Sequence, residues 1–191
     1  MIKSLTIVYC TARHDPRFDW FFNSLERESG GDYSNTKVIL VDSYCEKIER
    51  AKDIMSWVHL AKPPHLKLTA PKPTIWQGKH RITKEDWWAK CNAMNTAICL
   101  CDTEWIAFVD DRSVLAHGCL QCVQDSMIHD YAVCGSYTKH YNLKVVNGEV
   151  VDEGEVVGGD IRKQPGYPVP SYDWYGGSSA LPLEWCLRVN G

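Results

Sequence analysis

The sequence predicts an α/β domain with a mostly parallel, Rossmann-like sheet flanked by helices and a β-hairpin added late in the chain. Three observations predict it. Short apolar, β-branched runs begin at Leu5, Lys37 and Trp105. Segments with helical periodicity separate them. Asn147-Gly148 lies in a segment with the composition of a two-residue hairpin turn. The chain has 191 residues, enough for one core of ordinary size rather than two.

The first run, LTIVYCT from Leu5, reads as a buried strand. A loop containing Arg13, Asp15 and Pro16 leads to a helix whose Phe18, Phe21, Phe22 and Leu25 share one face, and Gly30-Gly31 stops it. KVILV over 37–41 is a second buried strand, ending at Asp42. Two buried strands separated by a helix make a βαβ unit. Residues 61–82, rich in Pro, Lys and His and without a period, read as a loop. A second helix is expected from Thr83, with Trp87, Cys91, Met94, Ile98 and Cys101 as its apolar face. WIAFV over 105–109 is a third parallel strand that runs straight into Asp110-Asp111. A helix over 114–129, a strand within 131–137, a hairpin over 142–151, a Gly- and Pro-rich loop over 152–173 and a short helix over 181–188 complete the expectation.

Composition excludes several classes. A net charge of -3 with interspersed signs offers no basic stripe for nucleic acid. No run of about 18 apolar residues spans a membrane. The N-terminal MIKSLTIVYC is too short and wrongly flanked for a signal peptide, so a cytoplasmic location is expected. Of nine cysteines, Cys10, Cys91, Cys99, Cys101, Cys134 and Cys186 lie in apolar segments, where a reduced thiol packs as a small hydrophobe. Cys119 and Cys122 form a lone CxxC, which His117, His129 and Cys134 do not complete into a zinc set.

In open parallel sheets, ligands bind beyond the carboxyl ends of the strands. Those ends collect Tyr9, Thr11 and Arg13 from the first strand, Asp42 and Ser43 from the second, and Asp110, Asp111 and Arg112 from the third. Adjacent carboxylates are costly without a positive partner, and a divalent cation carrying a diphosphate is one such partner. The plainer reading makes one aspartate a helix cap and leaves the other solvated. Asp42 is either a turn residue or an acceptor for a nucleobase N–H; Lys90 is either a snorkelling surface lysine or a phosphate contact.

Taken in order, the strand with Thr11 and Arg13, the strand ending in Asp42, the AKCNAMN segment over 89–95 and WIAFVDD over 105–111 resemble the inverting glycosyltransferase family 2, which has the GT-A fold. AKCNAMN is similar to that family's GKxxALN segment, and Trp174-Tyr175-Gly176-Gly177 with the following serines to its GGN-S element. The resemblance implies a metal-dependent enzyme, using Mn²⁺ or Mg²⁺, that moves a sugar from a nucleoside-diphosphate donor, commonly UDP-linked, to an acceptor hydroxyl with inversion. It implies a single domain over 1–191, with a nucleotide-binding half to 113 and a partial acceptor half from 114. Thr11, Arg13 and Asp42, with Tyr9 beside them, would surround base and ribose. Lys90 would approach the diphosphate. Asp110 and Asp111 would stand for the DxD-type motif, Asp111 touching the metal. Arg112, Trp174, Gly176 and Gly177 would border the donor and acceptor sugars.

Two departures qualify it. Arg112 stands where many members carry a further aspartate, and the chain stops at Val189-Asn190-Gly191 where an FDE-like and an ED-type element would follow. The resemblance therefore implies a fragment whose catalytic base lies further on; Asp160 and Asp173 are the loop carboxylates near the glycine pair that stand in as weak substitutes. A sugar nucleotidyltransferase is the alternative enzyme, but residues 11–16 lack the glycine-rich loop that cradles a triphosphate. A nucleotide-sugar-binding remnant without activity is the non-enzymatic alternative.

Overall fold

The structure, a computed structural model, describes residues 3–58, 65–72, 90–135, 137–159 and 178–189. A six-stranded sheet forms the centre. In chain order its strands are β1 (Leu5–Thr11), β2 (Thr36–Asp42), β3 (His65–Thr69), β4 (Trp105–Asp110), β5 (Val133–Cys134) and β10 (Ser178–Pro182). Their spatial order is β3-β2-β1-β4-β10-β5. The first four are mutually parallel, and β10 runs antiparallel to both of its neighbours. The expected α/β fold with a mostly parallel sheet is the observed one.

Alternation along β1 explains the two layers, since successive side chains leave a strand on opposite faces. Leu5, Ile7 and Tyr9 pack with α1 (Phe18–Ser29) and α4 (Cys119–His129); Val8 and Cys10 pack with α3 (Lys90–Leu100). On α1 the buried residues include Phe18, Phe21, Phe22 and Leu25, as the periodicity predicts. Gly30 closes the helix in the left-handed region at φ 58°. Tyr9 lies against this face, its ring centroid 4.8 Å from Phe21 and 5.7 Å from Phe18.

Several expectations are corrected. The predicted apolar face of the second helix holds in part: Ile98 is buried and Met94 and Cys101 pack against the core, but Cys91 is exposed, and Ala93, Thr96 and Ala97 are buried as well. Small side chains at 93 and 97 sit in the same core cluster as Ile98 and widen the buried face away from Cys91. Trp87 and the expected helix start at Thr83 lie outside the described residues. The region 61–82 contains β3, paired with β2 from Lys37↔His65 to Val41↔Thr69. α2 (Ile48–Val58) was not read from the sequence.

The hairpin stands. β7 (Lys144–Val146) and β8 (Glu149–Asp152) are joined through Asn147 and Gly148, whose φ values of 49° and 79° are those of a type I′ turn. A Cβ at Gly148 would sit 2.5 Å from the backbone of Asn23 and Ser24 on α1, so the turn needs glycine for packing as well as for its backbone angle. The loop expected over 152–173 is interrupted by β9 (Glu155–Gly159), which pairs antiparallel with β6 (Thr138–Tyr141). The closing helix, α5 (Leu183–Arg188), starts after β10, so its first expected residues belong to the sheet.

Candidate nucleotide and phosphate site

Register brings the strand ends to one level. Thr11 pairs with Asp42 across β1 and β2, and Cys10 pairs with Asp110 across β1 and β4. The aspartate pair therefore stands beside the β1 loop, as the sequence order suggests, and both carboxylates already have cationic partners from other elements. Lys90, the first residue of α3, donates from Nζ to Asp110 Oδ1. Asp111 Oδ2 accepts from Thr11 Oγ1 at 2.8 Å, and its Oδ1 accepts from Arg13 Nε at 3.0 Å. The backbone N–H of Arg13 returns to Thr11 Oγ1 at 3.1 Å. Each positive group offsets a carboxylate that its neighbour would otherwise repel.

Asp110 keeps about a third of its side chain exposed, Asp111 less. Arg112 follows in the left-handed region at φ 56°, a conformation that a non-glycine residue adopts only when its surroundings hold it there. They do: its N–H donates to Tyr9 Oη at 2.8 Å and to Pro16 O at 3.1 Å, while Tyr9 Oη donates to Pro16 O at 2.5 Å. Its guanidinium reaches Asp15 at 3.4 Å.

Tyr9, expected beside the base and ribose, bonds this loop from within the core. Its side chain is wholly buried on the α1 face, and burial drives its phenol far above the usual range, so it stays a neutral donor and acceptor. Its hydroxyl ties the loop after β4 to Pro16.

The Asp42 carboxylate, expected to face the base, is wholly buried. Oδ1 accepts from the Tyr44 N–H at 2.9 Å. Oδ2 lies 2.8 Å from Arg50 Nε, but that N–H does not point at the oxygen, so the contact is a close ion pair without a hydrogen bond. Burial pushes the Asp42 carboxyl up, and the Tyr44 N–H and Arg50 oppose it. Outside this pair, Tyr44 and His14 form an aromatic shelf, with ring centroids 4.5 Å apart and Tyr44 Oη 3.2 Å from His14 Nε2.

Arg50 is the residue that sequence reasoning missed. It sits on α2, where Ile54 four residues on is buried and faces the core; that spacing was the available signal. Asp160, Asp173, Trp174, Gly176 and Gly177 lie outside the described residues. β10 begins directly after them at Ser178, opposite Val109, so the chain enters this strand at the aspartate end of β4.

Whether this donor set suits a divalent cation can be tested on the side chains present. Among the described residues no group of three metal-ligating side chains exists. Mg²⁺ and Mn²⁺ sites on phosphates need only one or two carboxylates, with the phosphates and water supplying the other oxygens. Asp110 and Asp111 fit that role, with Lys90 and Arg13 beside them to share the charge.

No known family profile matches the sequence, and no curated protein matches it. Solved structures do match its fold. S. aureus TarS 1–349 superposes with a TM-score of 0.58 at 13% identity, over 98% of this chain and 49% of that one. The same fragment in complex with UDP-GlcNAc gives 0.56 at 14%, over 98% and 47%. The mannosyltransferase PcManGT from Pyrobaculum calidifontis, in complex with GDP-Man and Mn²⁺, gives 0.55 at 15%, over 100% and 48%. The chain thus spans about half the length of the structures it matches. Its mixed sheet, with helices on both faces, is a GT-A-like α/β fold shared with these structures.

Proposed function

We propose that this chain is the donor-binding part of a glycosyltransferase that uses a nucleoside-diphosphate sugar, of the inverting family 2 kind. The observation that carries the reading is the convergence of Thr11, Arg13, Lys90, Asp110 and Asp111 at the carboxyl ends of β1 and β4 in a GT-A-like fold. One structural neighbour is in complex with UDP-GlcNAc and another with GDP-Man and Mn²⁺. Those ligands belong to those proteins; they motivate the choice of UDP and UDP-sugars as probes here.

In this reading Thr11 and Arg13 flank the nucleotide, with Asp42 behind them. Lys90 and Arg13 present positive charge to the diphosphate at the strand ends, where fixed charges act without reorganising. Asp110 and Asp111 would hold Mn²⁺ or Mg²⁺, with Asp111 the nearer, and the ion would neutralise charge on the leaving diphosphate. Arg112, Trp174, Gly176 and Gly177 would border the sugars. The group that deprotonates the acceptor hydroxyl is unassigned, with Asp160 and Asp173 as the loop carboxylates to test first.

Donor turnover separates the enzyme from a binding remnant. The protein is incubated with UDP-GlcNAc, UDP-glucose or GDP-mannose and Mn²⁺, and release of nucleoside diphosphate is followed. Slow donor hydrolysis that Asp111→Ala abolishes supports the transferase. Tight binding with no hydrolysis or transfer favours the remnant, and no binding of any of the three sinks both.

A further inference from the structure

Arg50 ties the ends of two strands together from a third element. Its Nε stands 2.8 Å from Asp42 Oδ2, its Nη1 lies 3.7 Å from Asp53, and its Nη2 donates to the carbonyl of Arg13. The guanidinium lies 5.4 Å from the Phe18 ring and 5.7 Å from that of Tyr44, and the side chain is only 7% exposed. A charge this deeply buried persists where its surroundings use it, and the two ends of this guanidinium do different work. Asp42 fixes where the group sits. The Nη2 arm fixes the backbone of Arg13, whose side chain then reaches Asp111. A continuous path therefore runs Asp42–Arg50–Arg13–Asp111, from β2 through α2 and the β1 loop to β4.

We infer that Arg50 is a positioning residue for the phosphate end of the nucleotide site: it presets Arg13 beside Asp111 by holding its carbonyl, and Asp42 acts through Arg50 rather than by touching a nucleobase. The inference rests on the nucleotide-sugar reading above. A merely structural pair would have Asp42 and Arg50 offset one another's burial and nothing more. Arg50→Lys distinguishes the two, because an ammonium keeps the charge beside Asp42 but lacks the planar second arm that reaches Arg13.

The test compares wild type, Arg50→Lys, Arg13→Ala and the double variant in UDP titrations with Mn²⁺, and follows amide exchange of residues 11–17 without nucleotide. Arg50→Lys is expected to unfold within a few degrees of wild type. It is expected to bind UDP about tenfold more weakly, the scale of one charge-assisted hydrogen bond, and to exchange faster in that loop. In the Arg13→Ala background it adds no further loss. Wild-type affinity with unchanged exchange overturns the inference, as does a loss that adds to that of Arg13→Ala.

Asp42→Asn gives a second arm should Arg50→Lys fail to fold. UDP and CDP affinities are expected to fall by the same factor, whereas a loss confined to UDP overturns the inference, since only uracil offers a ring N–H to a carboxylate. If wild type binds no nucleotide, the functional reading fails, and the exchange measurement still decides whether Arg50 holds the Arg13 loop.

Discussion

Arg13 and Asp111 meet at 3.0 Å although 98 residues separate them in the chain. Thr11 completes the contact, donating to the other oxygen of the same carboxylate while accepting the Arg13 N–H. The β1 loop and the end of β4 are therefore closed onto each other by one hydroxyl and one guanidinium. Thr11→Val removes the hydroxyl at nearly constant shape and leaves Asp111 one donor short. We expect a cost of about 1–3 kcal/mol, a fall in melting temperature of about 2–4 °C per kcal/mol, measured by calorimetry. An unchanged melting temperature would contradict the role given to Thr11.

Lys90 holds Asp110 from the first residue of α3, with both side chains about a third exposed. An exposed pair of this kind adds little to stability. In the proposed reading its importance lies in the charge it presents to a diphosphate. Lys90→Ala is expected to leave thermal unfolding nearly unchanged while weakening UDP about tenfold at low salt, with the deficit shrinking as salt rises. Titrations at two ionic strengths check both parts.

Tyr9 makes the opposite prediction. Buried and hydrogen-bonded to Pro16 O and the Arg112 N–H, it acts on the fold of the loop after β4. Tyr9→Phe removes the hydroxyl that bridges Pro16 O and the Arg112 N–H and leaves those two groups only their 3.1 Å bond to each other, at about 1 kcal/mol. We expect lowered stability by chemical denaturation, with the UDP affinity of the folded fraction changed much less.

Much of this arrangement was legible in the sequence, and the reasons are local. β-branched runs ending in Thr11, Asp42 and Asp110 mark strand ends, and parallel register then makes those residues neighbours. Asn147-Gly148 declares its own turn. What was not legible depends on tertiary contacts. The four-residue spacing from Arg50 to Ile54 marks only a helix face, and Arg50 finds its partner when α2 docks and places it beside Asp42. The buried face of α3 widens to Ala93 and Ala97, which a stripe of larger apolar residues conceals. The inward turn of Tyr9 follows from strand alternation, but its bond to the Arg112 N–H required the positive φ at Arg112. β3 and β9 lie in segments whose prolines, glycines and charges mask short strands that owe their pairing to a neighbour.

Gly148 tests the hairpin's docking on α1. Both its positive φ and the 2.5 Å approach to Asn23 and Ser24 forbid a Cβ without movement of backbone, and Arg27 Nη1 bonds its carbonyl at 2.6 Å. Gly148→Ala is expected to destabilise by about 1–3 kcal/mol through strain and overpacking. A change under 0.5 kcal/mol would mean that the hairpin moves aside at little cost (about the size of an ordinary surface substitution).

Thiol chemistry gives a pH dependence with a definite sign. Burial, with the nearby charge of Glu28, pushes Cys119 up to about 11, and burial pushes Cys10 up to about 12. Raised values mean less thiolate at a given pH than an ordinary cysteine shows, roughly 0.1% for Cys119 at pH 8. Alkylation followed by mass spectrometry should label the exposed Cys91, Cys99 and Cys122 first. Labelling of Cys119 should accelerate about tenfold per pH unit up to its own value, as long as the fold persists.

The central claim is that the aspartate pair at the end of β4 belongs to a nucleotide-diphosphate site, and a calorimetric titration of UDP with and without Mn²⁺ tests it most directly. The account predicts binding by wild type that strengthens with Mn²⁺, and a loss of at least about tenfold in Asp111→Ala, which also loses most of the Mn²⁺ effect. Equal affinity in wild type and Asp111→Ala, or no UDP binding by the folded wild type, would contradict it.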